Sequence, residues 1–178
     1  FNSNLTLSTS GGSGSGSVTF AYVSGDCSVT GTTLTPTAAG SCVVTATKAA
    51  DARYSSTTDT QTITINKANQ STPLTLADTS VVYGQTLTLS ASGGNGSGAI
   101  TYLVDAGTCT LIGSTLTPGD AGSTCDVRVT RADSANYNSL TSSPISITVT
   151  RATPVLGNFV IGSKTYGDSS FLLTSPSS

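Results

Sequence analysis

The sequence predicts an all-β chain of small antiparallel β-sandwiches in tandem, on three observations. One stretch occurs twice: GGSGSGSVTFAYVSGDCSVTGTTLTPTAAGSC begins at Gly11, and GGNGSGAITYLVDAGTCTLIGSTLTPGDAGSTC begins at Gly93. Apolar residues recur at every second position in short runs, which is the period of a strand with one face turned to a core. Gly, Pro, Asn and Asp separate those runs, and no segment keeps a helical period of 3.6 residues for long enough to matter.

The repeat offset is read from matched residues. Gly11 to Gly93, Cys27 to Cys109, Gly31 to Gly113 and Pro36 to Pro118 each differ by 82. An inserted Thr124 moves Cys42 to Cys125, a difference of 83, and Lys67 corresponds to Arg151, a difference of 84. A period this long exceeds the 20 to 50 residues of a solenoid repeat and suits a small domain with its own core. The expected division is therefore 1–70, 71–153 and 154–178: a repeat lacking its first strand, a complete repeat, and the opening strands of a third.

In chain order, Phe1 to Ser10 reads as the second strand of the first copy. A Gly- and Ser-rich turn, Gly11 to Ser17, follows, then a strand through Val18, Phe20 and Tyr22 and the run Cys27 to Val29. After a turn at Gly31 come the short strand Thr33 to Thr35, stopped by Pro36, and the strand Ser41 to Thr47. A loop through Asp51 and Tyr54 leads to the last strand, Gln61 to Asn66. The second copy repeats this plan from Leu74 to Thr150. Leu5 and Leu7 match Leu87 and Leu89, Phe20 matches Tyr102, Val44 matches Val127, and Ile63 and Ile65 match Ile147 and Val149, all residues of a core face. About seven short strands in about 80 residues describe an antiparallel sandwich. Tyr54 and Tyr137 are read either as the aromatic that braces a corner of such a fold or as ordinary core residues.

With 36% hydrophobic residues spread among Ser, Thr and Gly, each core is small and needs reinforcement. Two cysteines at the same places in each copy predict two disulfides, Cys27 with Cys42 and Cys109 with Cys125. Cys42, Val44 and Ala46 fall on one side of their strand, as do Cys125, Val127 and Val129. Zinc is the rival reading of paired thiols, but the chain has no His and no CxxC spacing. The expected compartment is oxidising, extracellular or periplasmic.

The run SGGxGSGxxTYxV, then GxTLTP, AGSxxVTxT, a loop ending in NY or RY, and xITIxKA resembles the bacterial immunoglobulin-like repeats found in tandem in large secreted or cell-surface proteins. The residues that carry the resemblance are Gly93 to Val104, Gly113 to Pro118, Ala121 to Thr130, Asn136 to Tyr137 and Ile145 to Ala152, with their counterparts in the first copy. Gly162 to Ser175 resembles the opening of a third repeat. The resemblance implies immunoglobulin-like sandwiches and a stalk, spacer or adhesin role at the cell surface, and it brings no catalytic residues. The cysteine pairs depart from many such repeats, which carry small or apolar residues there.

Other chemistries fail on composition. Seven Lys and Arg against nine Asp give a net charge of −2, with no basic patch for nucleic acid and no apolar run that would span a membrane. Without His, a Ser-His-Asp triad or a His general base is excluded. No cofactor, metal or catalytic residue is expected, and the Asp residues read as turn residues. A calcium site at a module junction would lack EF-hand spacing. The glycine runs Gly11 to Gly16 and Gly93 to Gly98 lack the Lys-Ser or Lys-Thr and the helix of a phosphate loop, and read as flexible turns. Lys48 and Lys67 invite an isopeptide crosslink, but Arg131 and Arg151 replace them in the second copy. Three N-x-S/T sequons, at Asn4, Asn69 and Asn95, are matches expected in so Ser- and Thr-rich a chain.

The short linkers Lys67 to Pro73 and Arg151 to Pro154 predict a semi-rigid rod, each module adding roughly 35 to 45 Å. The expected partners are neighbouring repeats or copies of the chain in a fibre. Two alternatives stand beside the spacer: an adhesin binding a glycan or surface through Gly93 to Gly98 and Asp133 to Leu140, and a fibre subunit whose tail completes the next chain's first domain by strand addition.

Overall fold

The computed structural model describes residues 1–157 and 162–172. Among them the chain is all-β, with no helix. A first strand set comprises β1 (Leu5–Thr6), β2 (Val18–Gly25), β3 (Cys27–Thr30), β4 (Thr33–Pro36), β5 (Gly40–Lys48) and β6 (Thr57–Ile65). A second comprises β7 (Thr75–Leu76), β8 (Ser80–Val82), β9 (Leu87–Thr88), β10 (Ala91–Ser92), β11 (Ile100–Ala106), β12 (Thr110–Ile112), β13 (Thr115–Thr117), β14 (Thr124–Arg131), β15 (Leu140–Thr141) and β16 (Ile145–Thr150).

The two sets pair their strands in the same way. In the first, β2-β5-β6 form one antiparallel sheet and β1-β4-β3 another; in the second, β11-β14-β16 and β9-β13-β12 do the same. The register slips at one equivalent place, between Tyr22 and Ser24 and between Val104 and Ala106. Each short hairpin turns on two residues, Gly31-Thr32 and Gly113-Ser114. The glycine has φ of 59° and 61°, a conformation that tight hairpins require at this position and that side chains disfavour.

Alternation explains the cores. Cys42 and Val44 of β5 and Ile65 of β6 bury against Cys27 and Leu34 from the other sheet, with Phe1, Phe20, Val29 and Ile63 around them. Val127 of β14 and Ile147 and Val149 of β16 bury against Leu116, Leu89 and Val81. Cys27 is bonded to Cys42 and Cys109 to Cys125, with Cα separations of 5.7 and 6.0 Å. Each bond ties one sheet to the other through the core.

The structure differs from the sequence reading in several places. The strand expected over Gln61 to Asn66 starts at Thr57, because the nine-residue β5 offers partners as far as Lys48. The strand expected over Phe1 to Ser10 shrinks to Leu5–Thr6, which pairs only with Thr33 and Leu34. Among the strand pairs of the described residues one is parallel, β8 with β16. Residues 158–161 and 173–178, part of the expected third repeat, lie outside the described residues. Residues 154–157 and 162–172 form no strand, with a turn at Tyr166 and Gly167.

Candidate functional site: the junction between the strand sets and an open groove

The linker after β6 does not hang free. Ala68 donates its N–H to the Asn136 carbonyl, and Asn138 N–H donates to the Ala68 carbonyl, each at 2.9 Å, so linker and loop pair as a short parallel bridge. Side chains reinforce it. Ala39 N–H donates to Asn136 Oδ1 at 2.8 Å, Gln70 Nε2 donates to the Asn138 carbonyl at 2.7 Å, and Gly96 N–H donates to Gln70 Oε1 at 3.2 Å. Gln70 is the buried polar side chain here, and both ends of its amide are satisfied, as burial demands. Asn95 Oδ1 accepts from Ser71 N–H and Thr72 N–H at 2.7 and 3.1 Å. Phe1 meets Tyr137 edge to face, ring centroids 5.9 Å apart.

One ion pair crosses the junction: Lys67 Nζ lies 2.7 Å from Asp133 Oδ2. The Lys67 ammonium that hydrogen-bonds it, and its charge, hold the Asp133 carboxyl below the usual carboxylate range. Both side chains are well exposed, so the pair orients more than it stabilises.

Behind the junction a cation holds each glycine loop. Arg131 donates from Nε to the Gly93 carbonyl at 2.9 Å and from Nη1 to the Gly98 carbonyl at 3.0 Å; Lys48 donates to the Gly16 carbonyl at 3.1 Å. These loops are held turns, not the free ones their composition suggests. In the first set Asp51 caps the loop to Tyr54: its carboxylate accepts from the backbone N–H of Arg53, Tyr54 and Ser15. Those bonds, the Arg53 and Ser15 amides foremost, lower its pKa from 3.8 to about 2. A depressed carboxylate pKa gives order that is present above the ordinary value and lost as pH falls through the folded one. The Arg53 and Tyr54 amides are therefore expected to lose protection between pH 3.8 and about 2. Amide exchange corrected for intrinsic rates checks this, and Asp51→Ala should show the loose state already at neutral pH.

A groove of about 510 Å³ lies along the first set, lined by Leu7, Gly11, Gly12, Val18, Phe20, Val44, Ala46 and the inward face of β6. In the second set Pro73 and Leu74 lie over Gly93, the counterpart of Gly11, and Leu74 is buried. β8 runs beside β16, and its buried Val81 meets Val149, whose counterpart Ile65 borders a separate pocket with Phe1, Leu5 and Leu34. A Cβ on Gly93 would meet the Pro73 carbonyl oxygen at 1.9 Å, whereas one on the matching Gly11 would meet nothing within 4 Å.

No family model and no curated protein matches the chain.

Of the residues singled out from sequence, the four cysteines come together in two pairs inside the cores. Tyr54 and Tyr137 brace no buried corner: Tyr54 is half exposed, and Tyr137 turns to Phe1 and accepts from Asn2 Nδ2 at 3.4 Å. The loops expected to bind a glycan, Gly93 to Gly98 and Asp133 to Leu140, are engaged by the linker and the first set. Among the described residues no three Asp or Cys side chains cluster as a metal site would. Sequence reasoning missed Asn136, Gln70 and Asn95. A signal existed for Asn136, because the first copy has Arg53 at its place.

Proposed function

We propose that the chain is a structural spacer made of tandem bacterial immunoglobulin-like modules, part of a secreted or cell-surface fibre, with no catalytic role. The observation that carries this reading is the junction. A linker that pairs its backbone with the next loop and satisfies a buried Gln cannot act as a free hinge. The resemblance of the repeats to those of surface proteins supports the location, as do two buried disulfides, which persist in oxidising compartments.

Small-angle scattering of dilute protein tests the spacer. A compact chain of this length has a radius of gyration of about 16 Å, and two modules in line should exceed about 20 Å. The distance distribution should carry a second maximum from the two modules, sharp in the parent and blurred in Asn136→Ala. A single symmetric peak near the compact value would sink the reading.

A further inference from the structure

Each strand set leaves open one of the two surfaces that meet at the junction. The second set presents its loop 132–139 to Phe1, Ala39 and Lys67 of the first, and its loop Gly93–Gly98 to Gln70 and Ser71 of the linker. The first set has the same loops, Gly11–Gly16 and 49–56, with Arg53 and Tyr54 exposed. The second set has the same receiving surface, with Tyr83 in the place of Phe1, Ala121 of Ala39 and Arg151 of Lys67, and all three are exposed.

The differences between the copies match in charge. Asn136 of the used loop is replaced by Arg53 in the open one, while Ala38, beside the receiving Ala39, is replaced by Asp120. Seating the open loop on the open receiving surface as the junction seats theirs brings Arg53 to Asp120. The cation at the place of Lys67 is Arg151, and the open loop offers it Asp51 next to the place of Asp133. A third match is apolar. In the second set the residues after the linker fill the space over Gly93; in the first that space is the groove beside Gly11. After Arg151 come Val155 and Leu156, which are 95% and 78% exposed.

We propose that the loops Gly11–Gly16 and 49–56, with the adjoining groove, bind a second copy of this chain head to tail, through its Tyr83, Asp120 and the segment 151–156. The inference goes beyond the spacer reading, which concerns modules joined within one chain. The contact is heterologous, so copies add head to tail. The run from Arg151 to Pro154 is shorter than that from Lys67 to Pro73 and has no counterpart of Gln70, so the contact is looser than the covalent junction.

Sedimentation velocity of the 178-residue chain over a micromolar concentration series tests it. The expected result is growth with concentration that weakens between about 0.05 and 0.5 M salt. Arg53→Asp and Asp120→Arg should each weaken association about tenfold, and the two reversals together should restore it to within about threefold. Both positions are exposed, so the variants should keep the parent's circular dichroism; Arg151→Asp replaces either one that does not, and should weaken association about as much. A chain that stays monomeric throughout overturns the proposal. Association without rescue by the double reversal overturns it too. Neither outcome touches the spacer reading, which the dilute scattering decides separately.

Discussion

A chain carrying Cys27→Ser and Cys42→Ser together is expected to melt in two steps, with the first strand set unfolding about 10 to 20 °C below its parent and the second unmoved. The bond closes a sequence separation of 15, worth about 3 kcal/mol in the chain-entropy model. That is a large share of the stability of so small a unit, because net stability is only about 0.05 to 0.15 kcal/mol per residue. The first set is the more exposed to the loss, since Tyr22, Tyr54 and Val18 are open and a groove runs along its core. The matching pair, Cys109→Ser with Cys125→Ser, should lower the second set by a similar free energy and leave it the more stable of the two reduced units. Differential scanning calorimetry of parent and both variants checks this. A shift under about 3 °C in either variant would mean that the disulfides record an oxidising compartment and contribute little to the fold. Cys42 and Cys125 are fully buried, so reductant should act on the parent only as fast as each set opens.

Much of this architecture was legible because the chain contains its own comparison. Positions where the copies agree, such as Val44 with Val127 and Ile65 with Val149, proved to be core residues, Leu5 being an exception at 46% exposure, and the shared cysteines proved to be paired. The same method hid the junction. A surface that meets its partner on one side only need not agree between copies, so nothing shared pointed to the junction: Asn136 entered only through the resemblance, Asp133 only in a loop read for glycan binding, and Gln70 not at all. Glycine loops read as free for a related reason: their composition describes the backbone, while the Arg131 and Lys48 contacts that hold them come from across the sheet. Tyr54 and Tyr137 agree in sequence and differ in surroundings, since Phe1 reaches Tyr137 alone. Conservation between repeats thus reports the fold, and divergence between them reports the contacts.

Leu34→Ala and Leu116→Ala make one substitution at equivalent places, and the second is expected to cost more. Both side chains are fully buried, at 1% and 0% exposure, so both lose the same transfer free energy. The rest of the cost is the cavity left behind, which depends on whether the surroundings or water can fill it. Leu34 borders a pocket of about 250 Å³ shared with Phe1, Leu5 and Ile65, and its cross-strand partner Leu5 is 46% exposed. Space opened there joins space that water already reaches. Leu116 sits between Leu111 and Leu87 beneath Val127 and Ile147, where a deleted side chain leaves a closed apolar void that stays dry. The expected costs are about 2 to 3 kcal/mol for Leu34→Ala and about 3 to 5 kcal/mol for Leu116→Ala, measured by urea unfolding with each set's transition fitted separately. Equal costs would mean that the first set's core is as closed as the second's. The space beside Leu34, under Phe1 and Leu5, would then be sealed from water once the side chain is removed.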